Sequence, residues 1–305
     1  MNSVQRKLHT MLNTPRIFYK KFAGTRIFRY LPDRMALKIM YRNVFLEKLD
    51  LNSPKTFNAK LQWLKLYNRR PEYTAMVDKY LVRDYVAKTI GEEYLIPLLG
   101  VWDYAEDIDF EILPEQFVLK CNHGSACNII CMNKRELNRA ETITKLNQWM
   151  HTDYYLIGRE WPYKNVPRKI ICEKYITDSP ESDGLTDYKF FCFNGKVDCV
   201  MLCLDRNTGN PKFYFFNEKW DLCRYNTRGE QSPVDFSIPK PMYMDKMFKI
   251  ARELSQKLPY ARIDLYNANQ QIYFGEITFF PASGFDANLL YKTDEYFGKL
   301  IELEN

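Results

Sequence analysis

Apolar residues recur at three- and four-residue spacing in the first third of the chain and in alternation over much of the remainder. That change of period marks helices giving way to strands. Met35, Leu37, Ile39, Met40 and Val44, mixed with Arg34, Lys38 and Arg42, predict a basic amphipathic helix over Arg34–Leu46. Asn52-Ser53-Pro54 breaks the chain before a second helix, Phe57–Tyr67, and a third is predicted from Thr74 to Ile90, with Gly91 placed for a left-handed cap. Short β-rich runs follow at Tyr94–Trp102, Gln116–Cys121 and Asn128–Met132, then an amphipathic helix over Arg135–Met150.

From Arg168 the chain reads mainly as strand: Lys169–Ile176, Asp187–Phe193, Lys196–Leu204 and Phe213–Phe216. Asn194-Gly195, between the second and third of these, is a strong two-residue hairpin signal. A helix over Met242–Leu258 precedes a final strand pair, Ala261–Tyr266 and Gln271–Thr278, joined by Asn267-Ala268-Asn269, and a helix over Ala287–Glu304 closes the chain. This order is α+β rather than regularly alternating βαβ. It divides into a helical basic region (1–73), a small α/β unit (74–165) and a larger strand-rich unit (166–305).

With 305 residues and 46% hydrophobic side chains, there is ample material for two cores and no case for global disorder. The net charge of +6 is unevenly placed. Residues 1–43 carry ten basic side chains against Asp33 alone, so the rest of the chain is slightly acidic. The basic stretch reads first as a solvated tail and next as a segment attracted to an anionic membrane surface or a lipid-linked glycan; it has no recognised nucleic-acid-binding module. No apolar run reaches the length of a membrane span and no secretory signal is evident, which predicts a cytoplasmic protein, peripheral at the inner membrane face if residues 1–43 engage it. In that setting the eight cysteines read as reduced thiols, and Cys121, His123, Cys127 and Cys131 lack zinc-site spacing.

Two stretches carry candidate chemistry. Phe117–Lys120 is an apolar strand that delivers a lysine and passes directly into the small-residue loop Cys121-Asn122-His123-Gly124-Ser125-Ala126. Backbone N–H groups in such a loop can approach an anion closely, an outline of a phosphate cradle without Walker or GxGxxG spacing. In the last strand pair, alternation puts Arg262, Asp264 and Tyr266 on one face, and Phe274, Glu276 and Thr278 on one face of the partner. A hairpin would bring Asp264 and Glu276 opposite one another. Two carboxylates so placed repel unless a cation lies between them, and oxygen donors favour Mg²⁺ over zinc.

The order Val77-Asp78-Lys79-Tyr80, Phe117–Lys120 with its loop, Glu173-Lys174-Tyr175-Ile176, Asp187-Tyr188-Lys189-Phe190, Arg262–Tyr266 and Phe274–Thr278 resembles the TupA-like branch of the ATP-grasp proteins, associated with bacterial surface polysaccharide synthesis. The resemblance covers about Leu51–Gly284. It implies an ATP-grasp fold with ATP and Mg²⁺ as cofactors. It implies that Lys79 and Lys120 contact the nucleotide, with His123, Gly124 and Ser125 in the phosphate loop. By the same resemblance Glu173 and Ile176 read adenine, Asp187 falls near the ribose and Lys189 near phosphate. Asp264 and Glu276, with Thr278 where many relatives have Asn, hold metal, and Arg262 sits over the reacting carbonyl. The implied reaction is carboxylate–amine ligation through an acyl phosphate, with a uronic-acid glycan or sugar nucleotide and an amine as substrates. A sugar kinase, a glycosyltransferase and a nucleotide-binding scaffold docking a membrane complex are the alternatives. Besides Thr278, a second departure is Ala126-Cys127, where the branch has Gly and an aromatic residue.

Overall fold

A computed structural model describes residues 26–178, 185–204 and 211–303; the basic residues Arg6, Lys7, Arg16, Lys20 and Lys21 lie outside them. The chain is α+β, with two antiparallel sheets. The described helices are α1 (Arg26–Arg29), α2 (Asp33–Phe45), α3 (Phe57–Tyr67), α4 (Glu72–Val77), α5 (Val82–Thr89), α6 (Arg139–Met150), α7 (Tyr155–Gly158), α8 (Thr227–Glu230), α9 (Met244–Ser255) and α10 (Tyr291–Leu300). No described helix is long and apolar enough to cross a membrane.

The smaller sheet contains β1 (Leu98–Trp102), β2 (Phe117–Cys121), β3 (Asn128–Cys131) and β4 (Ile170–Lys174) in the order β1-β4-β2-β3. Phe117, Leu119, Cys131, Ile170 and Cys172 form a core that Leu146 of α6 completes. Asn138 starts α6 by accepting from the Glu141 N–H at 3.1 Å, a side-chain cap on one of the orphan donors of the first turn. The helix therefore begins at Arg139 rather than at the predicted Arg135.

The larger sheet contains β5 (Tyr188–Phe193), β6 (Lys196–Leu204), β7 (Lys212–Phe216), β8 (Leu222–Cys223), β9 (Tyr260–Ala268) and β10 (Gln271–Thr278), ordered β10-β9-β5-β6-β7-β8. Helix α9 lays Met247, Phe248, Ala251 and Leu254 into its core. Phe57 of α3 meets Tyr260 and Phe297 edge-on at 4.9 and 5.6 Å, which fastens the N-terminal helices to the sheet. Asn194 and Gly195 both take positive φ (49° and 76°) in the tight turn between β5 and β6. The β9–β10 turn does the same with Asn269 and Gln270, so β9 runs to Ala268, beyond the predicted Tyr266.

The structure corrects one expectation that bears on the site. The predicted helix Thr74–Ile90 is two helices, because Asp78 turns its carboxylate back onto the N–H groups of Tyr80 and Leu81 (2.8 and 3.2 Å) and breaks the backbone between α4 and α5. Gly91 has a positive φ of 116°, but its ψ of 154° is extended rather than left-handed helical. Strand β4 stops at Lys174, short of the predicted Ile176.

Candidate active site

The break at Asp78 exposes Lys79 at a junction of three segments. Its backbone N–H donates to the carbonyl of Asn122 (3.2 Å), and its ammonium donates to the carbonyl of Gly124 in the loop after β2. Asn122, fully buried, pins this junction. Its amide donates to Asp78 (2.9 Å) and to the Pro167 carbonyl (2.8 Å), and its side-chain oxygen accepts from the Lys169 N–H (2.8 Å). Burial lowers the Lys79 pKa, opposed by the attraction of Glu276.

Lys120 and Glu173 leave neighbouring strands of the smaller sheet and pair at 2.5 Å. Arg83 of α5 reaches the other Glu173 oxygen at 3.5 Å while donating to the Ile96 carbonyl at 2.9 Å. On the larger sheet the register sets Lys189 of β5 opposite Asp264 of β9, and Asp264 opposite Glu276 of β10, a row of three charged residues on three adjacent strands. Lys189 contacts Asp264 at 2.5 Å and Asp187 at 3.5 Å. A bulge at Gly275 creates this register. A Cβ there would stand 2.9 Å from the Asp264 carbonyl oxygen, so a side chain has no room. The same bulge breaks the predicted alternation: Phe274 pairs with Leu265 and packs into the core at the cavity's edge, and Glu276 pairs with Asp264.

Arg262 lies behind this row. It binds both oxygens of Asp264 (2.7 Å each), Glu276 at 3.0 Å and the Thr278 hydroxyl at 3.1 Å. Burial disfavours charge on Glu276, but the pull of Arg262, Lys79 and Lys189 outweighs it and brings its pKa down to about 2. On Asp264, burial wins over Arg262 and Lys189 and the pKa rises. The opposite directions follow the difference in exposure: both border the cavity, but the Glu276 side chain is 34% exposed and that of Asp264 2%.

A cavity of about 320 Å³ gathers these groups. Lys79, Lys120, Ser125, Glu173, Asp187, Lys189, Asp264 and Glu276 all border it, with Leu95, Ile96 and Phe274 among its apolar lining. His123, Gly124, Ile176, Arg262 and Thr278 do not border it. The His123 imidazole is buried against the Trp149 carbonyl (3.2 Å), and burial, then the nearby Arg168, lowers its pKa. Gly124 turns its carbonyl to Lys79. Ile176 lies past the end of β4, and the Thr278 hydroxyl donates to Glu276 at 3.0 Å. Ala126 holds a φ of 60°, a left-handed conformation that glycine would adopt without strain.

Among the described residues no group of three or more His, Cys, Asp or Glu side chains is arranged to hold a metal. Two opposed carboxylates nevertheless fit Mg²⁺, which takes one or two carboxylates and completes its shell with water and substrate phosphates. All eight cysteines are free thiols.

A family model for TupA-like ATP-grasp matches residues 59–302, and with them every bordering residue of the cavity. The chain belongs to the TupA-like ATP-grasp family. No curated protein matches the sequence. Among solved structures, this TupA-like chain is similar to D-alanine–D-alanine ligase from Bacillus anthracis at 18% identity and a TM-score of 0.42, covering 74% of this chain and 65% of that one. It is similar to the ATP-grasp ligase PsnB, solved with a phosphomimetic variant of its minimal precursor, Mg and ADP, at 12% identity and a TM-score of 0.42, covering 88% and 69%. D-alanine–D-alanine ligase from Helicobacter pylori stands at 15% and 0.43, covering 82% and 70%.

Sequence reasoning missed Arg83, Asn122 and a buried group behind the site. Lys65, wholly enclosed, donates to Gln62, Gly158 and Ser283 at 2.9, 2.7 and 2.6 Å, and burial brings its pKa down to about 7 against the attraction of Glu160. The one available signal for Arg83 was its spacing from Lys79, one helical turn along.

Proposed function

We propose that this chain is an ATP- and Mg²⁺-dependent ligase that joins a carboxylate to an amine through an acyl phosphate. The row Lys189, Asp264 and Glu276, bordering one cavity with Lys79 and Lys120, carries the reading. A carboxylate is a poor electrophile at neutral pH. Attack of its oxygen on the γ-phosphorus expels ADP and leaves a mixed anhydride; a neutral amine then attacks the acyl carbon, inorganic phosphate departs, and the amine's extra proton passes to solvent.

In this reading Lys79, Lys120 and Lys189 offset phosphate charge, and Asp264 and Glu276 would hold a divalent ion, which would supply further neutralisation of phosphate charge. Glu173 meets the polar edge of the base, Leu95, Ile96 and Phe274 cover its faces, and Asp187 serves the ribose. Arg262, tied to both metal carboxylates, steadies the oxyanion of the tetrahedral adduct, a role worth roughly 3 kcal/mol for one donor elsewhere. The TupA-like kinship favours a uronic-acid carboxyl of a surface polysaccharide or its sugar-nucleotide precursor, and an amino compound as acceptor. The smaller sheet, which takes in β4 (Ile170–Lys174) from beyond the 74–165 unit, then covers the nucleotide while the larger sheet presents the metal.

The test is ATP-dependent phosphate release across uronic acids and amines in pairs, with product masses. Release that needs both partners, with a condensed product lighter by one water than their sum, supports the ligase. A phosphorylated sugar accumulating without amine would replace this reading with a kinase.

A further inference from the structure

Helix α2 has an apolar side that neither the fold nor the cavity uses. Its inner face buries Ala36, Leu37, Met40 and Tyr41 with Phe28, Leu49, Leu51, Ala59 and Phe285. On the opposite side Met35, Ile39 and Leu46 are 52%, 38% and 85% exposed. At 3.6 residues per turn Met35 and Ile39 fall within about 40° of one another along the helix, and Leu46 follows as its left-handed C-cap. Arg34, Lys38 and Arg42, all exposed, recur at every fourth residue and form a parallel stripe beside them. Just ahead of the helix, Tyr30 is 78% exposed and Arg29 reaches Asp153 at 3.8 Å.

The helix itself keeps negative charge off this side; beyond its end exposed Glu47 follows and exposed Asp50 lies near Lys38, which leaves the apolar line with an excess of cations. Asp33, the only acid within α2, is taken up by Arg69 at 2.7 Å and by Tyr155 and Arg159. In the sequence, residues 1–25 add five basic side chains and no acid. A face built only for water has no use for three neighbouring exposed large apolar side chains, and a face built only for a polyanion has no use for them either. An apolar line flanked by cations suits a helix lying in the plane of a bilayer surface, with its apolar side chains at the acyl boundary and its cations among anionic headgroups.

We propose that the outward face of α2 docks the protein on an anionic phospholipid surface. The site is independent of the nucleotide cavity, so it stands or falls apart from the ligase reading.

The experiment is flotation of the full-length protein with vesicles of phosphatidylglycerol and phosphatidylcholine, against phosphatidylcholine alone, at 0.1 and 0.5 M NaCl. The wild type floats with the anionic vesicles at low salt and is largely released at high salt. Lys38→Gln with Arg42→Gln weakens partitioning about 25-fold, from roughly fivefold per cation near such a surface. Met35→Ser with Ile39→Ser weakens it at least about tenfold with charge unchanged. Melting temperature and ADP binding stay at wild-type values in both. If the apolar double variant melts early, Leu46→Ser, past the end of the helix, repeats the test. Failure of the wild type to float, equal flotation on neutral vesicles, or serine variants that float like wild type would each overturn the proposal. So would tighter binding to duplex DNA at the same salt, which reassigns the face to nucleic acid.

Discussion

Replacing Lys120 by Met separates two energies that meet at one ammonium. In the folded chain Lys120 pairs with Glu173 at 2.5 Å, the two side chains being 22% and 10% exposed, and Arg83 covers the other carboxylate oxygen. Breaking a buried pair costs about 3–5 kcal/mol and losing an exposed one about 0–1. With part of the lysine in the open cavity and Arg83 still in place, Lys120→Met costs about 2 kcal/mol of stability in urea denaturation without nucleotide. The charge-assisted contact to phosphate proposed for it would be worth about 1.5–3 kcal/mol, so the expected calorimetric result is ATP bound about 10- to 150-fold more weakly. Adding Glu173→Gln removes the stranded carboxylate. The double variant regains most of the lost stability and none of the lost affinity. An ATP affinity within threefold of wild type in Lys120→Met, or its recovery in the double variant, refutes the assignment of Lys120 to the nucleotide.

Glu276→Gln is expected to reduce ligase turnover at least 100-fold, read as phosphate release. Its pH effect follows from the pKa of about 2 in the fold against roughly 4.3 unfolded. The carboxylate stabilises the fold above pH ~4.3, and that contribution is lost as pH falls toward 2. Because the side chain is a third exposed, the effect is modest, about 1 kcal/mol; a wild type and variant that lose stability in parallel below pH 4 would contradict it. Gly298→Ala places a Cβ 2.1 Å from the Lys55 carbonyl oxygen where α10 crosses the start of α3. It should cost about 3 kcal/mol in chemical denaturation while leaving ADP affinity unchanged once folded; wild-type stability would mean that the two helices do not meet as closely as described.

The strands and their turns were legible because each carries its own local signal: alternation in Arg262–Tyr266, and Asn-Gly between β5 and β6. The hairpin that carries Asp264 and Glu276 was legible for the same reason, but its register without a bulge would set Gly275, not Glu276, opposite Asp264. What escaped depended on partners remote in sequence. The apolar spacing of Met76, Tyr80, Val82 and Val86 continues through Asp78, and only the carboxylate's return to Tyr80 and Leu81, with Asn122 behind it, shows that the helix must stop. The bulge at Gly275 is one residue of excess in β10, visible only against β9. His123 reads as a loop ligand in sequence; the Trp149 carbonyl that captures it belongs to a helix that sequence spacing does not bring near.

The clamp around Asn122 has a mechanical consequence. Cys121 and Cys127 close the base of the loop by a backbone bond of 3.0 Å, Asn122 is fastened on every side, and Lys79 grips the Gly124 carbonyl. The stretch His123–Ala126 is thus moored at both ends and in its middle, with little slack to fold over a ligand by itself. A ligand entering the cavity therefore meets a loop whose shape is set in advance by the strand and the junction that hold it.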